Sequence, residues 1–129
     1  MKVLIFGGEG YIGKEVKKYL TSKKHSVTSY DNLIYHDQNN TKNNNKNLLK
    51  FDLRDKTKVK QYIEKTDAVL ILAGLVGDPI TKKYPKYAKQ INEDSLKFII
   101  KYTFAKNIKK LIFISTCSNY GKIKNGLVA

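Results

Sequence analysis

KVLIFGGEGYIG, residues 2–13, is the stretch that decides the fold. Four consecutive apolar residues, Val3–Phe6, predict a short strand that is buried on both faces. Glycines follow at positions 7, 8, 10 and 13. Beyond them Ile12, Val16 and Leu20 recur every fourth residue, which predicts one apolar stripe of a helix. The order of strand, glycine turn and helix is typical of a turn that binds a dinucleotide.

The spacing of these glycines fits two dinucleotide-binding patterns and comes close to an unrelated one. Gly8, Gly10 and Gly13 match the general Gly-x-Gly-x-x-Gly fingerprint, and Gly7, Gly10 and Gly13 have the spacing of short-chain dehydrogenases. A P-loop is disfavoured, because it needs Ser or Thr after its lysine to hold Mg²⁺ and Glu15 stands there. The remaining alternative is a glycine-rich strand-to-helix turn that binds nothing.

Three residues of the glycine turn have specific expected roles. The missing side chain at Gly10 lets a phosphate approach the positive end of the helix, and Gly13 lets the helix pack close to the strand. Glu9 stands inside the same turn, where a carboxylate that faces a pyrophosphate is unfavourable. We therefore expect the Glu9 side chain to point to solvent.

Composition restricts the class of protein. The 129 residues, 41% of them apolar, suffice for one domain with a core of its own, and no apolar run is long enough to cross a membrane. The formal charge is +14, but 24 of the 25 basic residues are scattered lysines and Arg54 is the single arginine. This favours a solvated lysine surface over a nucleic-acid-binding one. The single cysteine, Cys117, fits a reducing compartment and predicts a cytoplasmic protein.

A second strand is predicted over Ser26–Tyr30, and Asp31 follows it directly. Asp31 lies 18 residues beyond Gly13, near the position at which a dinucleotide fold places the carboxylate for the adenine ribose. An acid there repels a 2′-phosphate, so the sequence favours NAD over NADP as the cofactor. The alternative is an aspartate that merely ends a strand in a turn.

The rest of the chain alternates strands with helices. We predict strands over Leu48–Phe51, Asp67–Leu72 and Leu111–Ser115, and helices over Lys56–Lys65 and Lys82–Lys106. The polar segment Gln38–Asn47 predicts a mobile loop, and Lys122–Ala129 shows no clear element. Such alternation predicts an α/β fold, a doubly wound parallel sheet (Rossmann-like) in the order 3-2-1-4-5. The ligand crevice is then expected at the carboxyl ends of strands 1 and 4.

The predicted helix Lys82–Lys106 is apolar over more of its surface than one sheet-facing stripe needs. Two explanations remain open. Part of this surface meets a second copy of the chain in a homodimer, or downstream chain shelters it.

Six motifs follow one another along the chain: GGEGYIG (7–13), Asp31-Asn32, DLRD (52–55), Leu72-Ala73-Gly74, Asn92 and STCSNYG (115–121). Taken in this order, they give a resemblance that runs from Lys2 to Gly121. The chain resembles the N-terminal half of an extended short-chain dehydrogenase of the NAD-dependent epimerase/dehydratase family, whose members mostly act on nucleotide-sugars.

The resemblance implies a role for each of these positions. It implies that Asp52 and Leu53 hold the adenine ring, that Asn92 anchors the long helix, and that Thr116 hydrogen-bonds the reacting sugar hydroxyl. The complete set of cofactor-binding residues that it implies for NAD is Gly7, Gly10, Tyr11, Ile12, Gly13, Asp31, Asn32, Asp52, Leu53, Leu72, Ala73, Gly74 and Asn92. No metal ligand is implied. Without its motif, Thr116 is equally explained as a cap or turn residue.

The chain departs from the family at its start and at its end. Phe6 stands where the family usually has threonine. The family's catalytic Tyr-x-x-x-Lys follows the fifth strand, and we expect the chain to stop before it and before the sugar-binding region. The three matches to that spacing, Tyr19/Lys23, Tyr102/Lys106 and Tyr120/Lys124, are read as accidental. We therefore expect NAD binding without the family reaction, and a non-catalytic NAD-binding or scaffold module is the alternative function.

Overall fold

The computed structural model describes residues 1–34 and 48–116. The predicted Gln38–Asn47 loop, Cys117, the Tyr120/Lys124 pair and the Lys122–Ala129 tail lie outside these ranges.

Five parallel strands form one sheet within the described residues. They are β1 (Lys2–Phe6), β2 (Ser26–Tyr30), β3 (Leu48–Leu49), β4 (Ala68–Ile71) and β5 (Lys110–Phe113). Their order is β3-β2-β1-β4-β5, which confirms the predicted topology. The third strand is shorter than expected. Phe51 lies beyond it and is buried in the core instead of the sheet.

The helices differ from the prediction mainly after β4. They are α1 (Tyr11–Ser22), α2 (Lys56–Ile63), α3 (Asp78–Lys83), α4 (Pro85–Lys89) and α5 (Leu96–Ala105), with a π-helical turn, Gln90–Ser95, between the last two. The predicted helix over Lys82–Lys106 is confirmed as a continuous helical segment from Pro85 to Ala105, but its predicted start is wrong, because the helical conformation breaks at Tyr84. Tyr84 precedes a proline and has φ −129° and ψ 61°, because the proline ring excludes the helical conformation from the residue before it.

Two apolar layers cover the sheet. On one face, Val3, Ile5 and Leu70 pack with Val16 and Leu20 of α1. The larger layer on the other face lies between the sheet, α2 and the α4–α5 segment. It contains Leu4, Phe6, Tyr30, Phe51, Leu53, Val59, Ile63, Val69, Ile71, Ile91 and Ile99.

Ile12 does not belong to the predicted sheet-facing stripe of α1. Its side chain is 55% exposed, whereas Gly13 is buried at the start of the helix. The residues that face the sheet thus begin with Gly13 and continue through Val16 and Leu20, since a helix turns by about 100° per residue and Ile12 falls beside that stripe.

β5 forms an edge of the sheet, as the sequence predicts. Ile112 and Phe113 in this strand and Ile114 after it are large apolar side chains that are about half exposed. Among the described residues, no helix is both long and apolar enough to span a bilayer.

Candidate functional site

The sheet register brings together the four loops that follow the carboxyl ends of β1, β2, β3 and β4. Phe6 pairs with Tyr30 of β2 and with Ile71 of β4, so these strands end at the same level. The Gly7 N–H donates to the Tyr30 carbonyl at 2.8 Å, and the Leu72 N–H donates to the Phe6 carbonyl at 2.8 Å. The glycine turn therefore emerges between the loop after β2 and the loop after β4.

Three glycines of the turn are required by the protein itself. A Cβ at Gly8 would lie 2.4 Å from the Ser29 Cβ. Gly7 has φ +85°, and a Cβ there would lie 2.6 Å from the backbone nitrogen of Ala73. A Cβ at Gly13 would lie 2.4 Å from the Gly7 carbonyl oxygen and 2.7 Å from the Gly8 Cα. Gly13 thus allows α1 to pack closely on the turn that directly follows β1.

Gly10 differs from the other three glycines of the turn. Its nearest contact for an added Cβ is the Gly7 carbonyl oxygen at 3.5 Å, an ordinary van der Waals distance, and its φ of −67° suits any residue. No side chain caps the N-terminus of α1. Since the first N–H groups of a helix have no intrahelical acceptor, those of Tyr11 and Ile12 are oriented for an anion.

Asp31 is fixed at the edge of the crevice by two backbone donors. Its Oδ2 accepts from the Glu9 N–H at 3.0 Å, and its Oδ1 accepts from the Leu33 N–H at 2.9 Å. Leu33 adopts φ 59°, a conformation that is uncommon for a leucine. The carboxylate is thereby tied both to the glycine turn and to its own loop.

The expectation that Glu9 points to solvent is wrong. The residue is only 5% exposed, and its Oε1 accepts from the Lys17 ammonium of α1 and from the Ser29 hydroxyl at 2.7 Å. Burial raises the pKa of the Glu9 carboxyl, but the hydrogen bonds from Lys17 and Ser29 and the charge of Lys17 and Lys14 lower it by more, so its pKa lies below the ordinary value. The carboxylate avoids the phosphate side of the turn because it neutralises a lysine and satisfies a buried hydroxyl.

The loop after β3 meets α4 beside Asp31. Leu53 is buried and hydrogen-bonds through its backbone to the Tyr30 hydroxyl, whose pKa is raised by burial and then by the charge of Asp52. Asp52 does not line the cavity; it accepts from Arg54 Nε at 2.9 Å and from Nη2 at 2.6 Å. The hydrogen bond from the Arg54 side chain holds the pKa of Asp52 below its usual value. Arg54 also lies over the ring of Tyr87, 4.7 Å from its centroid.

Asn92 holds the loop after β4. Its Oδ1 accepts from the Leu75 N–H at 2.7 Å and its Nδ2 donates to the Leu75 carbonyl at 2.8 Å. Asn92 lies in the π-helical turn, where the Ser95 hydroxyl donates to the Gln90 carbonyl at 2.8 Å. Such turns recur at functional sites. Here the turn places one amide against both polar groups of a loop backbone.

These loops enclose a cavity of about 330 Å³. Nine of the predicted cofactor-binding residues line it: Gly7, Gly10, Tyr11, Asp31, Asn32, Leu53, Leu72, Ala73 and Gly74. The other four do not: Ile12, Gly13, Asp52 and Asn92. Of these, Ile12 lies in the first turn of α1, Gly13 and Asn92 support loops that line the cavity, and Asp52 holds Arg54.

Sequence reasoning missed six lining residues, namely Tyr30, Ile34, Leu75, Val76, Tyr87 and Ile91. Tyr87 and Ile91 are four residues apart, so a helical pattern was the available signal for them. Ile34, Leu75 and Tyr87 also line an adjoining apolar cavity of about 250 Å³ with Ile80 and Tyr84.

Thr116 is exposed at the carboxyl end of β5 and is not among the described residues that line the cavity. Two of the three Tyr-x-x-x-Lys pairs are described, and neither lies at the cavity. Tyr19 is exposed on α1, and Tyr102 is near the C-terminal end of α5. The hydrogen bond from Tyr102 to Glu64 raises the pKa of the tyrosine, which is opposite to what a general base needs.

Comparison with known proteins identifies the family of the chain. The model of the NAD dependent epimerase/dehydratase family matches residues 3–126. The chain is 29% identical over 126 residues to UDP-N-acetyl-alpha-D-glucosaminuronate decarboxylase of Bacillus cytotoxicus, covering 94% of this chain and 38% of that protein. It is 31% identical over 132 residues to UDP-glucose 4-epimerase of Yersinia enterocolitica, covering 95% of this chain and 39% of that protein.

A solved structure has the same fold. UDP-glucose 4-epimerase of Thermotoga maritima, crystallised with UDP-glucose, superposes with a TM-score of 0.83 at 25% identity over 99% of this chain and 41% of that one. The chain therefore spans about two fifths of the length of the relatives that it matches.

Proposed function

Because the chain belongs to the NAD dependent epimerase/dehydratase family, we propose that residues 1–129 form the NAD-binding part of a nucleotide-sugar epimerase or dehydratase. The family match bears out the resemblance found in the sequence and NAD as the cofactor of that family. The contacts to NAD, the identity of the sugar and the reaction are our proposals.

The observation that carries the proposal is the open space at Gly10. An added Cβ there would meet protein only at 3.5 Å, so the fold does not need glycine at this position. A phosphate that approaches the N-terminal N–H groups of α1 does need it, because a Cβ would stand between the phosphate and the backbone. The residues present thus fit a dinucleotide.

The proposed assignment follows the order of the loops across the sheet. The glycine turn and the start of α1 bind the pyrophosphate, and Asp31 accepts hydrogen bonds from the ribose hydroxyls. Leu53 and Tyr87 form the walls of the adenine site, since both line the cavity and Arg54, which follows Leu53, lies over the Tyr87 ring. Leu72–Gly74 lines the cofactor beside β4.

When bound, NAD supplies the acceptor and donor for a hydride at a sugar carbon. The chain's own residues bind and orient the reactants. Asp31 excludes a 2′-phosphate by charge repulsion, which selects NAD over NADP. Asn92 keeps the Leu72–Leu75 loop in one conformation through the Leu75 backbone. Thr116, at the carboxyl end of β5, orients the sugar hydroxyl.

Two proposals concern the surroundings of this site. Phe104 of α5 is 70% exposed and supports a homodimer through the α4–α5 surface; a monomer by sedimentation at micromolar concentration would refute it. We also propose a cytoplasmic location, on the basis of the single cysteine.

The test is a calorimetric titration of the purified chain with NAD and NADP, repeated on Gly10→Ala and Asp31→Ala. We expect saturable NAD binding, weaker NADP binding, and a loss of NAD affinity of at least about tenfold in each variant. Gly10→Ala should unfold within a few degrees of the wild type, because alanine restricts the unfolded chain but is a poorer N-cap than glycine.

Asp67→Ala is the matched control. The Asp67 carboxylate also accepts a backbone N–H, from Lys2 at 2.8 Å. Asp67 directly precedes β4, however, and so lies at the amino ends of the strands, away from the cavity. Its NAD affinity should equal that of the wild type. A folded wild-type chain that binds no NAD, or a Gly10→Ala variant that binds it normally, would refute the proposed site.

A further inference from the structure

Arg54 joins two segments of the chain at the proposed adenine end of the cavity. Its Nε and Nη2 donate to the Asp52 carboxylate at 2.9 and 2.6 Å within the loop after β3. Its Nη1 donates to the Gln90 side-chain oxygen at 3.0 Å, at the end of α4. The ring of Tyr87, one α4 turn earlier, lies 4.7 Å from the guanidinium carbon. All three guanidinium nitrogens therefore donate hydrogen bonds, and the face of the guanidinium contacts an aromatic ring.

A lysine could not make this set of contacts. Two parallel hydrogen bonds to one carboxylate need a planar fork, and a third donor must then point outward in the same plane while a ring stacks on the face. Arg54 is the single arginine among 25 basic residues. In a chain that otherwise uses lysine for every positive charge, arginine occurs where the geometry demands a guanidinium.

The two segments joined by Arg54 carry the two walls of the adenine site. Leu53 lies between Asp52 and Arg54 in sequence, and its backbone is held by Tyr30. Tyr87 comes from α4, and both Leu53 and Tyr87 line the cavity. The guanidinium thus connects the loop that carries one wall to the ring that forms the other.

We propose that Arg54 is a positioning residue that sets the width and shape of the base site between Leu53 and Tyr87, and that it thereby makes the site select adenine over guanine. This inference rests on the proposed NAD site. Guanine carries two exocyclic polar groups, a 2-amino and a 6-oxo group, whereas adenine carries a single 6-amino group. An apolar slot of fixed width cannot hydrogen-bond the additional polar group, so the loss of its solvation opposes binding. A slot that can widen admits water to that group and discriminates less between the two bases.

The experiment compares the affinities of NAD and nicotinamide guanine dinucleotide for the full chain and its variants. We expect the wild type to bind NAD at least about tenfold more tightly than the guanine analogue. In Arg54→Lys and Arg54→Gln the ratio should fall to about threefold or less, mainly through weaker NAD binding. A general loss of protein stability would weaken the binding of both dinucleotides equally and leave the ratio of their affinities unchanged.

Two further variants keep the test independent of folding at position 54. Gln90→Ala removes only the hydrogen bond between the segments, at an exposed residue, and should lower the ratio partway. Lys58→Gln is the matched control, because it removes a cation of α2 that lies 3.7 Å from Asp55, and it should leave the ratio unchanged.

The outcomes separate this inference from the proposed function. A wild-type chain that binds neither dinucleotide refutes the NAD site and the inference with it. A wild type that binds both equally well, or an Arg54→Lys variant that keeps the wild-type ratio, overturns the inference and leaves the NAD site standing. If neither variant at position 54 folds, an unchanged ratio in Gln90→Ala overturns it.

Discussion

Replacing Glu9 by alanine tests whether an acid inside the glycine turn stabilises the protein. The substitution leaves the Ser29 hydroxyl, which is fully buried, without this acceptor and the Lys17 ammonium without its counter-ion. Hydrogen bonds to charged groups contribute about 1.5–3 kcal/mol each, and breaking a buried ion pair costs about 3–5 kcal/mol. The Lys17 side chain is 19% exposed and can reach water, so the loss of the ion pair should cost less than it would for a fully buried pair. We expect a loss of about 2–4 kcal/mol in the free energy of unfolding.

The assay is urea unfolding followed by far-ultraviolet circular dichroism. With a slope of roughly 2 kcal/mol/M, the midpoint should fall by about 1–2 M, with the slope unchanged. Glu15→Ala is the matched control, since Glu15 pairs with Lys18 at 2.7 Å but both side chains are about two thirds exposed. It should cost no more than about 0.5 kcal/mol. If Glu9→Ala costs as little as Glu15→Ala, the reasoning is refuted.

Three other predictions follow from the same loops. The folded pKa of Glu9 lies below its ordinary value of 4.5, so the unfolded chain binds more protons and stability falls as the pH drops through the folded pKa; urea midpoints measured between pH 6 and pH 3 should fall less steeply in Glu9→Gln. Gly13→Ala should cost about 1–3 kcal/mol in thermal unfolding and weaken NAD binding, because its Cβ would lie 2.4 Å from the Gly7 oxygen, and normal stability would contradict this. Asn92→Leu should cost about 2–3 kcal/mol by leaving both Leu75 backbone groups without their partner, whereas Asn92→Asp, which keeps the acceptor, should cost less in the same urea assay.

The strands and their order could be predicted from the sequence because the signals are local. Val3–Phe6 and the run before Leu72 are apolar throughout, as strands covered on both faces are. Alternation with helices and the right-handed crossover rule then leave few topologies. The residue before Pro85 was also a local signal, and giving it more weight would have predicted the break at Tyr84.

The orientation of Glu9 could not be predicted in this way. Its partners are Ser29, on the neighbouring strand, and Lys17, which lies about two helical turns into α1. Only the paired strands bring Ser29 beneath the turn, so the charge could be placed only after the fold was known. The same holds for Tyr87, which reaches the cavity because the Tyr84 break sets the direction of α4.

The glycine turn also answers the alternative that it binds nothing. Gly7, Gly8 and Gly13 are explained by contacts within the protein, and a purely structural turn would need all three of them. No steric contact among the described residues requires glycine at position 10. Alanine there restricts the unfolded chain but is a poorer N-cap than glycine, so the two effects oppose each other and a structural turn would change little in stability. A turn that brings its backbone against a phosphate would lose its ligand with alanine, so the comparison of Gly10→Ala in stability and in NAD affinity separates the two functions at a single residue.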